Sequence, residues 1–424
     1  MKSMVPNPSR APAFLDYIRR PFNRSESGLL LAIVVVGLLT MVADSQHVYW
    51  YRPQGSIQDI LRQTAMLGIF SLGAAIVIIS GGIDLSAGSM IAFSGTVCAT
   101  LMLLIQPDSF DPRIASPLRP GVVALGICGT LVVGLLVGSF HAWLITVVDL
   151  PPFVATLATL VGLRSLARAM IENVTKLVYG GAGSTQIQIH DDQFLEMTAS
   201  VPLRVAIFLA LAGVAWLLLS LTVTGRHLYA MGGNEIAARL SGIRTDGLKW
   251  FAYCISAFLS SIAGILYIGE QATADPQTLG QGYELFAIAA AVVGGCSLKG
   301  GVGTIPGTVL GALFLRTVID GVAKVIKFNA QVYEGLIVGA VVVVAVAFNQ
   351  FREAGRRGKK FFGGALGWVT ILNLTLFAGV LAAIFGQLTA MNAKTLGLVA
   401  GSVAMVVVLL VRFLENRRRS EVKP

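Results

Sequence analysis

Long apolar runs, separated by shorter polar loops, make up most of the chain. A helix that crosses a bilayer needs about 17 to 25 predominantly apolar residues, and most of the runs reach that length. They predict membrane helices at 28–44, 62–81, 86–106, 121–147, 153–171, 202–223, 249–270, 283–296, 303–321, 332–349, 364–386 and 395–413. The pattern therefore predicts an all-α fold, a polytopic transmembrane helix bundle of about ten core helices followed by two C-terminal helices.

The same pattern divides the chain into three parts. Residues 1–27 form a polar N-terminal segment, residues 28–350 hold the core helices, and residues 351–424 hold a basic linker, two additional helices and a tail. Lys and Arg concentrate in alternate loops, and basic residues near helix ends favour the cytoplasm. We therefore predict that both termini are cytoplasmic.

Composition agrees with lipid as the main solvent of the side chains. Hydrophobic residues make up 55% of the chain and charged residues 13%, with a mean hydropathy of +0.76, whereas about 25% of an ordinary soluble domain is charged. The net charge of +10 could indicate nucleic-acid binding, but the basic residues form short clusters between apolar runs, as at a membrane edge. We predict the lipid bilayer as a partner and no nucleic acid.

The sequence shows no constellation typical of an enzyme or a metal site. The cysteines (Cys98, Cys128, Cys254 and Cys296) lie far apart in apolar stretches, as small buried side chains do. The histidines are scattered, without a nucleophile and base pair. The chain also lacks the Gly-x-x-x-x-Gly-Lys-Ser/Thr loop that cradles ATP phosphates. We predict no catalytic residue, no metal and no cofactor on this chain.

Two glycine-rich stretches interrupt the apolar runs. Glycine lets the backbone leave helical geometry, and non-helical backbone at membrane depth is tolerated only beside protein or a water-filled cavity. Both stretches are therefore predicted helix breaks beside a transport path. Their glycines are Gly81, Gly82 and Gly88 in the first, and Gly294, Gly295, Gly300 and Gly301 in the second.

These two breaks share the pattern Gly-Gly-x-x-Leu-x-x-Gly. In the predicted topology, the helices before the two breaks cross the membrane in the same direction. A fold of inverted halves would instead place the breaks after helices that cross in opposite directions. We therefore do not expect a true repeat.

The longest charged internal loop runs over residues 224–249. Within it, residues 232–243 predict a short amphipathic helix ended by Gly242. One interpretation is a solvated connector. The other is a docking helix for a cytoplasmic partner, because Ala237 and Ala238 offer a flat face.

Four ordered motifs resemble a known family. They are Gly-Gly-Ile-Asp-Leu-Ser-Ala-Gly-Ser at 81–89, Pro-Phe-Val-Ala-Thr-Leu-Ala-Thr at 152–159, the segment 232–243, and Gly-Tyr-Glu-Leu at 282–285 with the glycines up to 303. The chain resembles the membrane permease subunits of ATP-binding cassette (ABC) importers, in the sugar branch that serves ribose, xylose, arabinose and galactose and is related to branched-chain amino acid permeases. The resemblance covers residues 28–350.

This resemblance implies a transporter subunit in a bacterial inner membrane that has no ATPase activity of its own. ATP and Mg would act through cassette ATPase subunits, a second permease copy or a paralogue would enclose the path, and a periplasmic solute-binding protein would deliver a pentose or hexose to 172–201 and 270–282. Two alternatives stay open. One is an ABC permease for nucleosides or branched-chain amino acids, and the other is an ion-coupled secondary transporter, for which Asp84 is the main midplane ionisable group.

The resemblance also assigns a coupling role to the loop at 232–243, whose family counterpart docks into the ATPase. The residues that inherit this role are Asn234, Glu235, Ala237, Ala238, Arg239 and Gly242. Many importers carry Glu-Ala-Ala followed three residues later by Gly. Here Ile236 stands at the Glu position and Glu235 stands one residue earlier. It is therefore an open question whether this chain forms the salt bridge that the Glu makes in the family.

Polar residues within the motifs are the candidates for lining the substrate path. They are Asp84, Ser86, Ser89, Thr156 and Thr159, together with Phe153. Asp84 could accept hydrogen bonds from sugar hydroxyls, or it could cap the next helix. The threonine hydroxyls could line the path or bond their own backbone. Arg164 and Arg168, near the outer end of their predicted span, are expected to snorkel to the headgroups.

Overall fold

A computed structural model describes residues 24–44, 46–114, 116–181, 183–325, 334–336, 338–340, 343, 364–388 and 392–420. Its helices are α1 (Arg24–Ala43), α2 (Val48–Tyr51), α3 (Pro53–Ile79), α4 (Ala87–Ile105), α5 (Pro120–Thr146), α6 (Pro152–Tyr179), α7 (Asp192–Ala199), α8 (Val201–Leu221), α9 (Val223–Gly233), α10 (Glu235–Leu240), α11 (Thr245–Gln271), α12 (Tyr283–Val293), α13 (Ile305–Val325), α14 (Gly364–Leu388) and α15 (Ala393–Ser420). A 3₁₀ turn spans Pro107–Ser109, and the strands β1 (Ile187–Gln188) and β2 (Thr273–Ala274) form one short antiparallel pair.

The predicted helical bundle is confirmed. Ten of the described helices are long and apolar enough to cross a membrane. The predicted span at 283–296 differs most, because α12 has only 11 residues, too few to cross a bilayer alone. The predicted span at 332–349 and the boundary at 350 fall mainly among residues outside the described part.

Helices α3, α4 and α11 form the centre of the core. Every residue of α3 from Thr64 to Ile79 is buried, as is every residue of α4 from Ala87 to Thr100. Helices that are apolar on all sides fit such a position. Helices α8, α12 and α13 pack around α3, and α5 and α6 pack around α4. The outer helices expose apolar side chains, such as Leu136 and Val161, that suit contact with lipid.

Small residues allow close helix contacts at two glycine pairs, Gly134 with Gly138 and Gly307 with Gly311. On α5, a Cβ on Gly138 would lie 2.6 Å from the Cα of Cys254, and one on Gly134 would clash with Ser261. On α13, added Cβ atoms at Gly307 and Gly311 would clash with carbonyl oxygens of the α12 end. These glycines therefore set the spacing of α5 against α11 and of α13 against α12.

The two predicted helix breaks begin with the same backbone geometry. At the end of α3, the N–H groups of Ser80, Gly81 and Gly82 donate to carbonyls four, three and five residues earlier. At the end of α12, the N–H groups of Gly294, Gly295 and Cys296 donate in the same order. The equivalent glycines, Gly81 and Gly295, have φ angles of 89° and 98°, a region that favours glycine. In structure, Gly81 is therefore equivalent to Gly295, whereas the shared sequence pattern aligns Gly81 with Gly294.

Helices α14 and α15 form a separate compact unit. They pack against each other through Gly379, Gly397 and Gly401, where backbone approaches backbone. The two C-terminal helices predicted from the sequence are confirmed, with α15 running seven residues beyond the predicted end at 413.

Candidate functional site

The two helix breaks meet helix α9 in a backbone contact that we call the glycine junction, formed by Ile79, Gly81, Gly232, Gly300 and Gly301. The N–H of Gly301 donates to the carbonyl of Ile79 at 2.9 Å. A Cβ on Gly232 would clash with that same carbonyl, and one on Gly300 would lie 2.8 Å from the Cα of Gly81. The start of the first break, the second break and the end of α9 therefore lie at one end of the bundle.

This end of the bundle carries a cluster of positive charge, and we call it the basic end. Its cations are Arg226, Arg239, Arg244, Lys249 and Lys299. A cavity of about 310 Å³ lies beside the glycine junction, between the first break and the loop after α9. Its lining includes Gly82, Asn234, Glu235, Lys249 and Lys299.

Helix α10 begins and ends with its own hydrogen-bonded caps. The side chain of Asn234 accepts a hydrogen bond from the N–H of Ala237 at 3.0 Å, which satisfies a free donor of the first turn. After the last turn, Gly242 adopts a φ of 83°, and the N–H of Ile243 donates to the carbonyl of Ala238 at 3.1 Å. The predicted short helix ended by Gly242 is confirmed.

The charged side chains of α10 pair within the chain. Glu235 lies 2.7 Å from Lys249 and 3.3 Å from Arg239. Arg239 also lies 3.2 Å from Asp246 and donates to Thr245 at 3.0 Å. These pairs hold α10 against the start of α11.

The apolar side chains of α10 instead point away from the protein. Ile236 is 75% exposed and Leu240 is 84% exposed, one turn apart. Ala237 is also exposed, whereas Ala238 is buried. The two alanines therefore do not share an outer face, and α10 presents Ile236, Ala237 and Leu240.

Asp84 lies buried in the extended stretch between α3 and α4. One carboxylate oxygen accepts the N–H of Ser86 at 2.8 Å and its hydroxyl at 2.6 Å. The other oxygen accepts the hydroxyl of Ser256 on α11 at 2.7 Å. Ser89 is buried and donates to the carbonyl of Ser86 at 2.8 Å. Both oxygens of Asp84 thus have partners within the chain, and contact with a solute stays a prediction.

The threonine candidates on α6 are also buried. Thr156 donates to its own helix, at the carbonyl of Pro152, at 2.9 Å. Thr159 lies 2.7 Å from the Nε2 of His141, a buried residue of α5. Phe153, in contrast, is half exposed at the start of the helix. Phe153 is thus the exposed member of the predicted path residues, while Thr159 borders the groove between α5 and α6. The path role of this group stays a prediction.

Residues 275–282 form an irregular segment that runs from β2 into the bundle. Gly280 and Gly282 have φ angles of 62° and 76°, and a Cβ on Gly280 would clash with the carbonyl of Gly88 at the start of α4. The segment thus lies against α4 before α12 begins.

Arg164 supplies hydrogen bonds to this irregular segment. Its guanidinium donates to the carbonyls of Pro276 at 2.7 Å, Leu279 at 3.1 Å and Gln277 at 3.3 Å. The expectation that Arg164 snorkels near a helix end is wrong, because α6 continues to Tyr179 and Arg164 is the thirteenth of its 28 residues. Sequence reasoning missed this role, although a cation in the middle of an apolar run is the signal for it.

The end opposite the basic end is held by paired strands and a buried ion pair. Strand β1 pairs with β2, which brings the two segments assigned to a binding protein together. Arg204, fully buried, pairs with Glu270, which also lies 3.1 Å from Arg62. Asp191 is buried and accepts the N–H of Leu118 at 2.7 Å, so it is not an open contact for a partner, whereas Asp192 is exposed.

Comparison with known proteins identifies the family. A model of the family described as branched-chain amino acid transport system / permease component matches residues 56–346. The chain belongs to this permease family. The matched region runs from α3 to beyond α13, so it contains both breaks, the glycine junction and α10.

Curated relatives cover most of this chain and nearly all of their own length. The ribose import permease protein RbsC of Haemophilus influenzae is 30% identical over 330 residues, 77% of this chain and 93% of the relative. A probable ABC transporter permease, y4mJ of Sinorhizobium fredii, is 34% identical over 79% of this chain and 92% of its own. The galactose/methyl galactoside import permease MglC of Escherichia coli is 29% identical over 81% and 98%.

The ribose and galactose import names of two of these relatives agree with the resemblance to the sugar branch of the ABC permeases. No solved structure matches the chain. Among the described residues, no group of three or more His, Cys, Asp or Glu side chains is placed to hold a metal ion.

The glycine junction predicts an asymmetry between two adjacent glycines. Gly232→Ala should destabilise the protein by about 1 to 3 kcal/mol, because the methyl group overlaps backbone that cannot yield easily. Gly233→Ala is the matched control, because nothing lies within 4 Å of its added Cβ and alanine favours a helix. Thermal unfolding of the purified variants measures the difference, and equal losses in both would contradict the junction.

The hydrogen bonds of Asp84 predict opposite outcomes for two substitutions. The Asp84→Asn variant should fold and take up monosaccharide as the unsubstituted protein does. Its side-chain oxygen can accept hydrogen bonds from Ser86, while its side-chain NH2 group donates to the Ser256 oxygen. Asp84→Ala should reduce folded yield, because each buried orphaned group costs about 1 to 3 kcal/mol. Detergent-extracted folded protein and uptake are the measurements. Loss of uptake by a well-folded Asp84→Asn would instead indicate a charged role in the path.

Proposed function

We propose that this chain is the membrane permease subunit of an ATP-driven ABC importer that translocates a monosaccharide, a pentose or a hexose, delivered by a solute-binding protein. ATP hydrolysis occurs on separate cassette ATPase subunits, which also bind Mg. A second permease copy or a paralogue completes the path through a bacterial inner membrane. The permease family and the sugar-import names of the relatives support this function.

The glycine junction is the observation that carries the proposal. It places α9 and the loop to α10 directly on the ends of both helix breaks. A force applied to α10 by a partner therefore reaches both breaks through backbone contacts, without passing through flexible side chains. Such a connection is what a subunit driven from outside its own chain requires.

The charge distribution supports a cytoplasmic position for the basic end. Basic residues near helix ends favour the cytoplasm, and Arg226, Arg244 and Lys249 lie in or beside the connection from α8 to α11. The exposed helix α10 would then face cytoplasmic ATPase subunits. The same orientation turns the β1–β2 pair toward the binding protein.

Uptake with and without the ATPase tests the proposed function. Membrane vesicles that contain the permease, its ATPase and its binding protein should accumulate ribose, galactose or another monosaccharide only when ATP is present. Uptake should vanish when the ATPase is omitted. Uptake that persists without an ATPase, or that follows a proton or sodium gradient, would contradict the proposal, and uptake restricted to branched-chain amino acids or nucleosides would reassign the substrate.

Helix α10 makes its contact with the ATPase through apolar side chains in this proposal. Glu235 already pairs with Lys249 and Arg239, so it is engaged within the chain. Ile236 and Leu240 are exposed on a helix too short to cross a membrane. An apolar cleft on the ATPase would remove both from water, and burial of one such side chain contributes about 1.5 to 3 kcal/mol.

A comparison of substitutions on α10 tests this assignment. The double variant Ile236→Ser with Leu240→Ser should weaken permease–ATPase association by at least about ten-fold, since it removes two apolar contacts. Glu235→Gln should change association only a few-fold, because an exposed ion pair contributes about 0.2 to 1 kcal/mol. Binding of the ATPase to permease in nanodiscs measures both. The reverse order of effects would assign the contact to Glu235.

A further inference from the structure

A strip of polar side chains lies on the surface of the single chain between its two ends. We call it the polar strip and define it by Arg164, Arg168, Gln277, Thr278, Gln281 and Glu284. Gln277, Thr278 and Gln281 are exposed on the irregular segment, and Arg168 is exposed one turn beyond Arg164 on α6. Arg164 and Glu284 are partly buried and lie close enough to interact electrostatically.

The polar strip lies within the depth of the membrane helices. Arg164 is near the middle of α6, and its guanidinium touches the irregular segment at Pro276 and Leu279. Gly280 contacts Gly88, the second residue of α4. Helix α12 begins just after Gly282, at this depth of the bundle, and ends at the second break, which lies at the basic end. The strip is therefore distinct from the loops at both ends.

Lipid is a poor neighbour for such a surface. Non-helical backbone and ionisable side chains at membrane depth are tolerated where they are buried in protein or line water. The groove between α5 and α6 differs from the polar strip. It has a volume of about 560 Å³ and is lined almost wholly by apolar side chains such as Leu136, Phe140 and Leu166. The groove suits lipid, and the polar strip does not.

We propose that the polar strip lines the water-filled path and contacts the hydroxyl groups of the transported monosaccharide, an inference that rests on the proposed function. Amide and hydroxyl side chains both donate and accept hydrogen bonds, as sugar hydroxyls do. Gln281 stands between two glycines with positive φ, and Arg164 fixes the adjacent backbone. The buried candidates Asp84, Thr156 and Thr159 already have partners within the chain.

Thiol accessibility tests the position of the strip. Gln281→Cys, and Gln277→Cys as a second variant, are expressed with the ATPase and treated in membranes with a charged, membrane-impermeant thiol reagent. Native Cys128 is the internal control, because it is exposed on α5 beside the exposed apolar residues Leu125 and Val132. Peptide mass spectrometry then reports the extent of reaction at each cysteine in the same sample.

Reaction at residues 281 and 277 should be at least about ten-fold faster than at Cys128, because a charged reagent does not enter lipid readily. The modified variants should lose monosaccharide uptake while the reagent leaves uptake by the unsubstituted protein unchanged. Reaction no faster than at Cys128 would overturn the proposal, as would full uptake after complete modification. Absence of monosaccharide uptake by the unsubstituted protein, with fast reaction at residue 281 in the variant, would count against the proposed substrate alone.

Discussion

Backbone N–H and C=O groups inside a bilayer have no water to pair with, so every unwound stretch of a membrane helix must be satisfied by protein or by an enclosed path. This chain unwinds within its core between α3 and α4 and again before α12. Asp84 accepts from the backbone and side chains around the first stretch, and Arg164 donates to three carbonyls of the second. One anion and one cation thus allow both departures from helical geometry.

The glycine junction joins the breaks after α3 and α12 to α9, next to the exposed helix α10. Hydrogen bonds of the same order end α3, α12 and α10, and the breaks after α3 and α12 meet at Ile79 and Gly301. Both breaks lie at the same end, in agreement with the predicted helix directions. This order of hydrogen bonds is a common ending of α-helices, so the matching geometry of the two breaks does not by itself indicate a repeat.

Local features of the fold were predictable from the sequence, and long-range pairing was not. Apolar run length predicted most spans, and Gly242 predicted the end of α10, because both signals are contained in a few consecutive residues. The position of Arg164 was mispredicted because α6 continues into polar residues that no hydropathy run includes. The contact of Gly232 with Ile79, and the hydrogen bond from the N–H of Leu118 to Asp191, depend on residues far apart in the chain.

Because the glycine junction joins α9 to both helix breaks by backbone contacts, we infer that α10, the junction and both breaks move as one unit. Amide hydrogen exchange on the permease–ATPase assembly in nanodiscs, with and without a non-hydrolysable ATP analogue, measures this most directly. Peptides covering 79–86, 230–243 and 294–303 should change their exchange together when the nucleotide binds. A change confined to 230–243, with both break peptides unaltered, would contradict it.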